Sequence, residues 1–187
     1  MNSKLGDKSL QTNTNNIVLI GMPGSGKSSI GSLIANILRL EFCDLDKYIE
    51  AKEQATIPQL FLRGEDYFRQ LESKAAREIH HKQAVVISTG GGIVTRLENM
   101  ILLRKTGTIF YIERSIDLIL RSIDTTHRPL LAKDGNRIYT LYEERKNLYE
   151  QYCHFRITND QSLDIAANKI IKIINQQSNT MPIFNKG

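Results

Sequence analysis

Gly21-Met22-Pro23-Gly24-Ser25-Gly26-Lys27-Ser28 decides how this chain is read. It fits G-x-x-x-x-G-K-[ST], a loop whose backbone N–H groups cradle phosphate oxygens. What flanks it has the required form. Asn16–Ile20 is an apolar, β-branched run of strand length, and the stretch after Lys27 carries Ile30, Leu33, Ile34, Ile37 and Leu38 at helical spacing. Strand, glycine turn and helix N-terminus together make an anion site, because amide groups and the helix dipole point at one spot. Gly24, Ser25, Gly26, Lys27, Ser28 and Ser29 are therefore candidate nucleotide-binding residues. Lys27 is placed for the β- and γ-phosphates, and the Ser28 hydroxyl for Mg²⁺. A glycine turn that binds nothing is the bland alternative, and it leaves the ordered flanks unexplained.

The 187 residues fit one domain with one sizeable core, and 41% hydrophobic with 24% charged residues is ordinary for a globular chain. No apolar run is long enough to span a membrane. Residues 1–15 are polar with no apolar signal region and read as a disordered arm, and residues 178–187 read as a tail. Two cysteines, Cys43 and Cys153, make neither a disulfide framework nor a metal-ligand spacing, which fits a reducing cytoplasm. The net charge of +5 is spread along the chain. It suits small anionic substrates and gives no basic block for nucleic acid.

Strand-like runs at Asn16–Ile20, Glu41–Asp44, Ala84–Thr89, Thr108–Ile112 and Phe155–Thr158 alternate with helical patterns. That alternation predicts a parallel sheet with helices on both faces, a three-layer α/β/α domain over residues 16–177. Within it, about 123–136 is a polar insert between two helices, a candidate mobile lid.

Further candidates cluster at predicted strand ends and in the helices that follow. In Phe42-Cys43-Asp44-Leu45-Asp46, strand alternation puts both aspartates on one side, at the end of a strand where ligands bind. One carboxylate suits the Mg²⁺ shell and the other the acceptor hydroxyl; an aspartate N-cap for the next helix is the competing reading. Arg69 and Glu72 are i, i+3 partners, so the glutamate can hold a guanidinium fork for a substrate carboxylate, although such pairs are often only surface ion pairs. Gly90, Gly91 and Gly92 close the strongest apolar strand and expose backbone groups at the crevice. No acid ends that strand, which favours Asp44 for the metal. Arg121, Arg128 and Arg145 complete the set, with Arg128 inside the insert.

In this order, P-loop, F-x-D-x-D, G-E-x-x-F-R-x-x-E, G-G-G, R-P-L-L and R-x-x-L-Y, the chain resembles the shikimate kinase family from about Asn16 to Gln176. The resemblance implies a five-stranded parallel sheet of order 2-3-1-4-5. It implies ATP-dependent phosphorylation of the shikimate 3-hydroxyl, with Mg²⁺; composition and charge add the expectation of a cytoplasmic protein with no nucleic-acid or membrane partner, and a monomer is expected. It makes Asp46 the residue that orients or deprotonates the acceptor, and Asp44 a metal contact beside Ser28. Arg69 and Arg145 become the clamp on the shikimate carboxylate, with Glu72 in support and Gly90, Gly91 and Gly92 at the substrate. Arg128 falls on the phosphates and Arg121 on adenine. The stretch Ile157-Thr158-Asn159 departs from the family's adenine-contacting pair. A gluconate kinase-like enzyme of the same fold, or a non-catalytic nucleotide-binding module, are the rivals.

Overall fold

The computed structural model describes residues 15–122 and 137–180, with side chains to residue 177. At its centre lies β1 (Asn16–Ile20), which pairs in parallel with β3 (Val85–Ser88) on one side and β4 (Gly107–Glu113) on the other. β2 (Glu41–Asp44) adds to β3 and β5 (Phe155–Thr158) to β4, giving the order β2-β3-β1-β4-β5, all parallel. The order matches the one the resemblance implies. The helices are α1 (Lys27–Leu38), α2 (Leu45–Glu53), α3 (Ile57–Phe61), α4 (Glu65–Ile79), α5 (Leu97–Thr106), α6 (Ile116–Ser122), α7 (Arg137–Tyr152) and α8 (Leu163–Thr180).

β1 explains why the sheet sits in the middle. All five of its residues are buried, and Ile17–Ile20 give it apolar side chains on both faces. Val18 and Ile20 face a core shared with Ile49, Phe68, Ala76 and Tyr149 from α2, α4 and α7. Ile17 and Leu19 face a second core with Ile30, Ile34, Ala166 and Ile170 from α1 and α8. Burial of each such aliphatic side chain stabilises the fold by about 1.5–3 kcal/mol. At the sheet edge, β5 turns Ile157 inward, while Arg156 stays outside and pairs with Glu113 and Glu150.

Most element bounds differ from the sequence expectations by no more than a residue or two. The helical pattern predicts α4 over Tyr67–His81, but it runs Glu65–Ile79, because Gly64 at φ 108 releases the chain into the helix there. α8 continues to Thr180, into the stretch expected as tail. One geometric argument is overturned. Asp44 and Asp46 do not alternate along a strand, since β2 ends at Asp44, whose carboxylate accepts from the backbone N–H groups of Asp46 and Lys47 and starts α2 at Leu45. Asp46 therefore lies in the first turn of a helix. Residues 1–14, the insert at 123–136 with Arg128, and residues 181–187 lie outside the described residues.

Candidate active site

The P-loop runs from the end of β1 into α1. Gly24 at φ 80 and Gly26 at φ 96 take left-handed backbone that side chains resist, and this turns the loop amides inward. The Lys27 ammonium donates to the carbonyls of Gly21 (2.9 Å) and Met22 (2.8 Å), so it lies along the loop it serves. Above the loop opens a crevice of about 340 Å³, lined by Gly24, Gly26, Lys27, Ser28 and Ser29 and, from the far side, by Arg114, Ser122, Asn159, Gln161 and Leu163. Arg121 is exposed on α6 and is not among these lining residues.

Of the lining residues outside the P-loop, two hydrogen-bond to it. Asn159, just past β5, is buried and donates to the Ser25 carbonyl at 2.8 Å, packing so closely on Gly26 that a Cβ there would stand 2.5 Å from its amide nitrogen. Arg114, past the end of β4, donates to the Gly24 carbonyl at 3.2 Å. Both come from strands on the far side of β1, so only the sheet order brings them to the loop. The sequence signal for Arg114 was position alone, past a strand's C-terminal end, whereas Asn159 also closes the stretch that the resemblance sets at adenine.

At the mouth of the P-loop the Ser28 hydroxyl donates to Asp44 Oδ2 at 2.5 Å and lies 3.1 Å from the Ser88 hydroxyl. Asp44 thus does two things, capping α2 with one oxygen and meeting Ser28 with the other. The donors here are all oxygen, the set that suits a hard cation such as Mg²⁺. Among the described residues no three His, Cys, Asp or Glu side chains converge. A cation here would be completed by waters and phosphate oxygens, the usual arrangement for Mg²⁺.

The second half of the site is built around Gly90-Gly91-Gly92, at the end of β3. α4 brings Arg69, which is buried and ion-paired to Glu72 and, at 2.8 Å, to Glu65. It is not the surface pair that spacing alone allowed. Its guanidinium lies against Gly92, where any Cβ would collide with it. Asp46 and Glu72 converge on Gly90, where an added Cβ would stand 2.8 Å from Asp46 Oδ1 and 2.5 Å from Glu72 Oε1. From α7, Arg145 is buried beside Glu72 and Tyr149. Burial pushes the Glu72 carboxyl above the ordinary range, opposed by Arg69 and Arg145. Glu72 Oε1 and Arg145 Nε are buried with no hydrogen-bond partner, a costly arrangement that a polar ligand would relieve. Gly91 packs on Pro23 of the P-loop, so the two halves meet there.

The site is thus a phosphate loop joined through one glycine turn to a buried cationic pocket edged by carboxylates. A family model described as shikimate kinase matches residues 23–175. The chain belongs to the shikimate kinase family. A shikimate kinase of Clostridium botulinum (strain Alaska E43 / Type E3) is 46% identical over 160 residues, covering 86% of this chain and 97% of that one. One from Clostridium beijerinckii is 42% identical, covering 86% and 95%. The solved shikimate kinase from Acinetobacter baumannii in complex with shikimate superposes with a TM-score of 0.85 at 33% identity, over 91% of this chain and 97% of that one. A gluconokinase from Sinorhizobium meliloti shares the fold with a TM-score of 0.56 at 14% identity. The chain is a phosphotransferase with an alcohol acceptor. It carries out ATP-dependent phosphorylation of the shikimate 3-hydroxyl, giving shikimate 3-phosphate and ADP in chorismate and aromatic amino acid biosynthesis.

Proposed function

We propose that the cationic pocket on the glycine turn takes the shikimate carboxylate and that Asp46 serves the acceptor hydroxyl. The observation that carries this is the buried pair of cations Arg69 and Arg145, braced by Glu72, with the Arg145 Nε–H donor left without a partner. Arg69, held from one side by Glu65 and Glu72, presents its fork to a carboxylate, and Arg145 supplies the second cation. Gly90, Gly91 and Gly92 give close backbone approach to the ring. Asp46, across Gly90 from Glu72, aligns the 3-hydroxyl and accepts its proton as the new oxygen–phosphorus bond forms. The bond from the γ-phosphorus to the bridging oxygen breaks, and ADP leaves.

On the nucleotide side, Gly24, Ser25 and Gly26 hold the phosphates through their amides. Lys27 exchanges its loop carbonyls for β- and γ-phosphate oxygens. Ser28 and Asp44 would hold Mg²⁺, which when bound neutralises charge on the phosphates. Ser29 lines the same crevice. Arg121 on adenine and Arg128 on the phosphates remain proposals from the sequence. The protein is further taken to act as a cytoplasmic monomer, with Cys43 and Cys153 as free thiols. Its mass in solution tests the monomer.

The direct test is ADP release with shikimate, with gluconate, with nucleoside monophosphates and with no acceptor. Release that depends on shikimate alone is expected. Equal release with gluconate, or release indifferent to any acceptor, would refute the pocket assignment.

A further inference from the structure

We propose that the Tyr149 hydroxyl is a pin that sets the spacing of the carboxylate clamp, by locking α7 and its Arg145 to the glycine turn on which Arg69 rests. The proposal rests on the reading of Arg69 and Arg145 as that clamp. The clamp's two arms stand on different helices, Arg69 on α4 and Arg145 on α7. Both helices pack on the short turn Ile93–Thr95 that continues the glycine segment. The turn is therefore the common support of both arms, and whatever fixes α7 to it fixes the distance between the guanidinium groups.

Tyr149 lies four residues after Arg145, on the same face of α7. It is fully buried, and its hydroxyl donates to the Gly91 carbonyl at 2.6 Å. Gly91 is backed on its other side by Pro23, where an added Cβ would stand 2.6 Å from the ring. Gly92 is backed by Arg69. The turn is thus held between the P-loop, α4 and Tyr149, with little room to slide. Packing alone does not explain the residue. The ring stacks on Tyr111 with centroids 5.1 Å apart, and a phenylalanine would do the same. Only the hydroxyl adds the link to Gly91, and a hydroxyl is costly to bury without a partner.

Tyr149→Phe separates the two roles because it keeps the ring and the stack. The shikimate KM should rise about fivefold, the worth of one ordinary hydrogen bond, while the ATP KM stays unchanged. Combined with Arg145→Ala, the change should lose most of its effect on shikimate KM, since a pin without its arm has nothing to position. A Tyr149→Phe variant that melts lower but keeps its shikimate KM overturns the pin. So does a penalty that persists undiminished beside Arg145→Ala. If Arg145→Ala alone leaves shikimate KM unchanged, the clamp itself fails and the pin with it. A raised KM in Arg145→Ala beside a normal one in Tyr149→Phe refutes the pin alone.

Discussion

Asp46 and Asp44 are two residues apart and differently employed. Asp44 is bound to two backbone N–H groups and to Ser28, so its carboxylate is held by protein donors. Asp46 edges the glycine turn instead. Asp46→Asn keeps the shape and removes the base. Turnover should fall about 10²–10⁴-fold, the range for a positioned acid–base group, with ATP binding retained. Steady-state rates and nucleotide titration measure both, and a variant that keeps its rate would remove Asp46 from the chemistry. Gly92→Ala attacks the neighbouring contact. Its methyl group would occupy the place of the Arg69 guanidinium, and the fork would be displaced. The shikimate KM should rise about 10–100-fold, the worth of a hydrogen bond to a charged group, and the ATP KM should not follow. At this scale the sequence showed residue types and spacing well, because P-loop, aspartate pair and G-E-x-x-F-R block are each local. It did not show that the Arg69–Glu72 pair is buried, since i, i+3 spacing looks the same at a surface. Nor did it show Arg114 or Asn159, whose contacts to the P-loop span 90 and 134 positions of chain.

Among the elements, β1, β2 and β5 and helices α6 and α7 run between the residues their patterns suggest, α4 is shifted two residues toward the N-terminus at the same length, and α8 exceeds its pattern. Apolar periodicity marks where a helix must be buried, but the ends depend on caps such as Gly64 that periodicity does not see. β5 is a weak run in sequence because an edge strand needs few inward residues, here Ile157 and the half-buried Phe155. A histidine helps hold this edge. The His154 Nδ1 accepts from the Ile109 N–H at 2.9 Å, and the His154 backbone N–H donates to the Ile109 carbonyl at 2.8 Å. That arrangement requires a neutral ring nitrogen. Burial, with Arg104 nearby, lowers the His154 pKa below its ordinary 6.5. The unfolded chain then takes up the proton more readily. The stability gained is present above the unfolded value and is lost as pH falls through the folded one. The melting temperature should therefore drop more between pH 7.5 and 5.5 in the unaltered protein than in His154→Gln, whose amide does not titrate. Parallel pH curves for the two proteins would show that His154 does not titrate on unfolding.

For the molecule as a whole, the order β2-β3-β1-β4-β5 matters more than any one residue, because it sets β3 and β4 on either side of the P-loop strand. The glycine turn after β3 and the crevice beyond β4 consequently flank one loop, and the turn meets the P-loop where Gly91 packs on Pro23. Alternating strands and helices made the layer architecture legible, while the order itself came from the resemblance, since alternation does not dictate which strands neighbour β1. This arrangement leads to a prediction for stability. A ligand that binds only the folded state adds about 2.7 kcal/mol at a hundred times its dissociation constant, which for a chain of this size is about 5–10 °C in melting temperature. A non-hydrolysable ATP analogue with Mg²⁺ should give a shift of that order, and shikimate should add its own when present in like excess. Arg145→Ala should abolish the shikimate increment and leave the nucleotide increment in place, because Arg145 stands on α7 behind the glycine turn and is not among the residues that line the nucleotide crevice. Thermal melts of both proteins with each ligand alone and with the pair decide it. Loss of both increments would mean that Arg145 holds the fold together and does not grip the substrate, whereas survival of the shikimate increment would place the carboxylate elsewhere in the molecule.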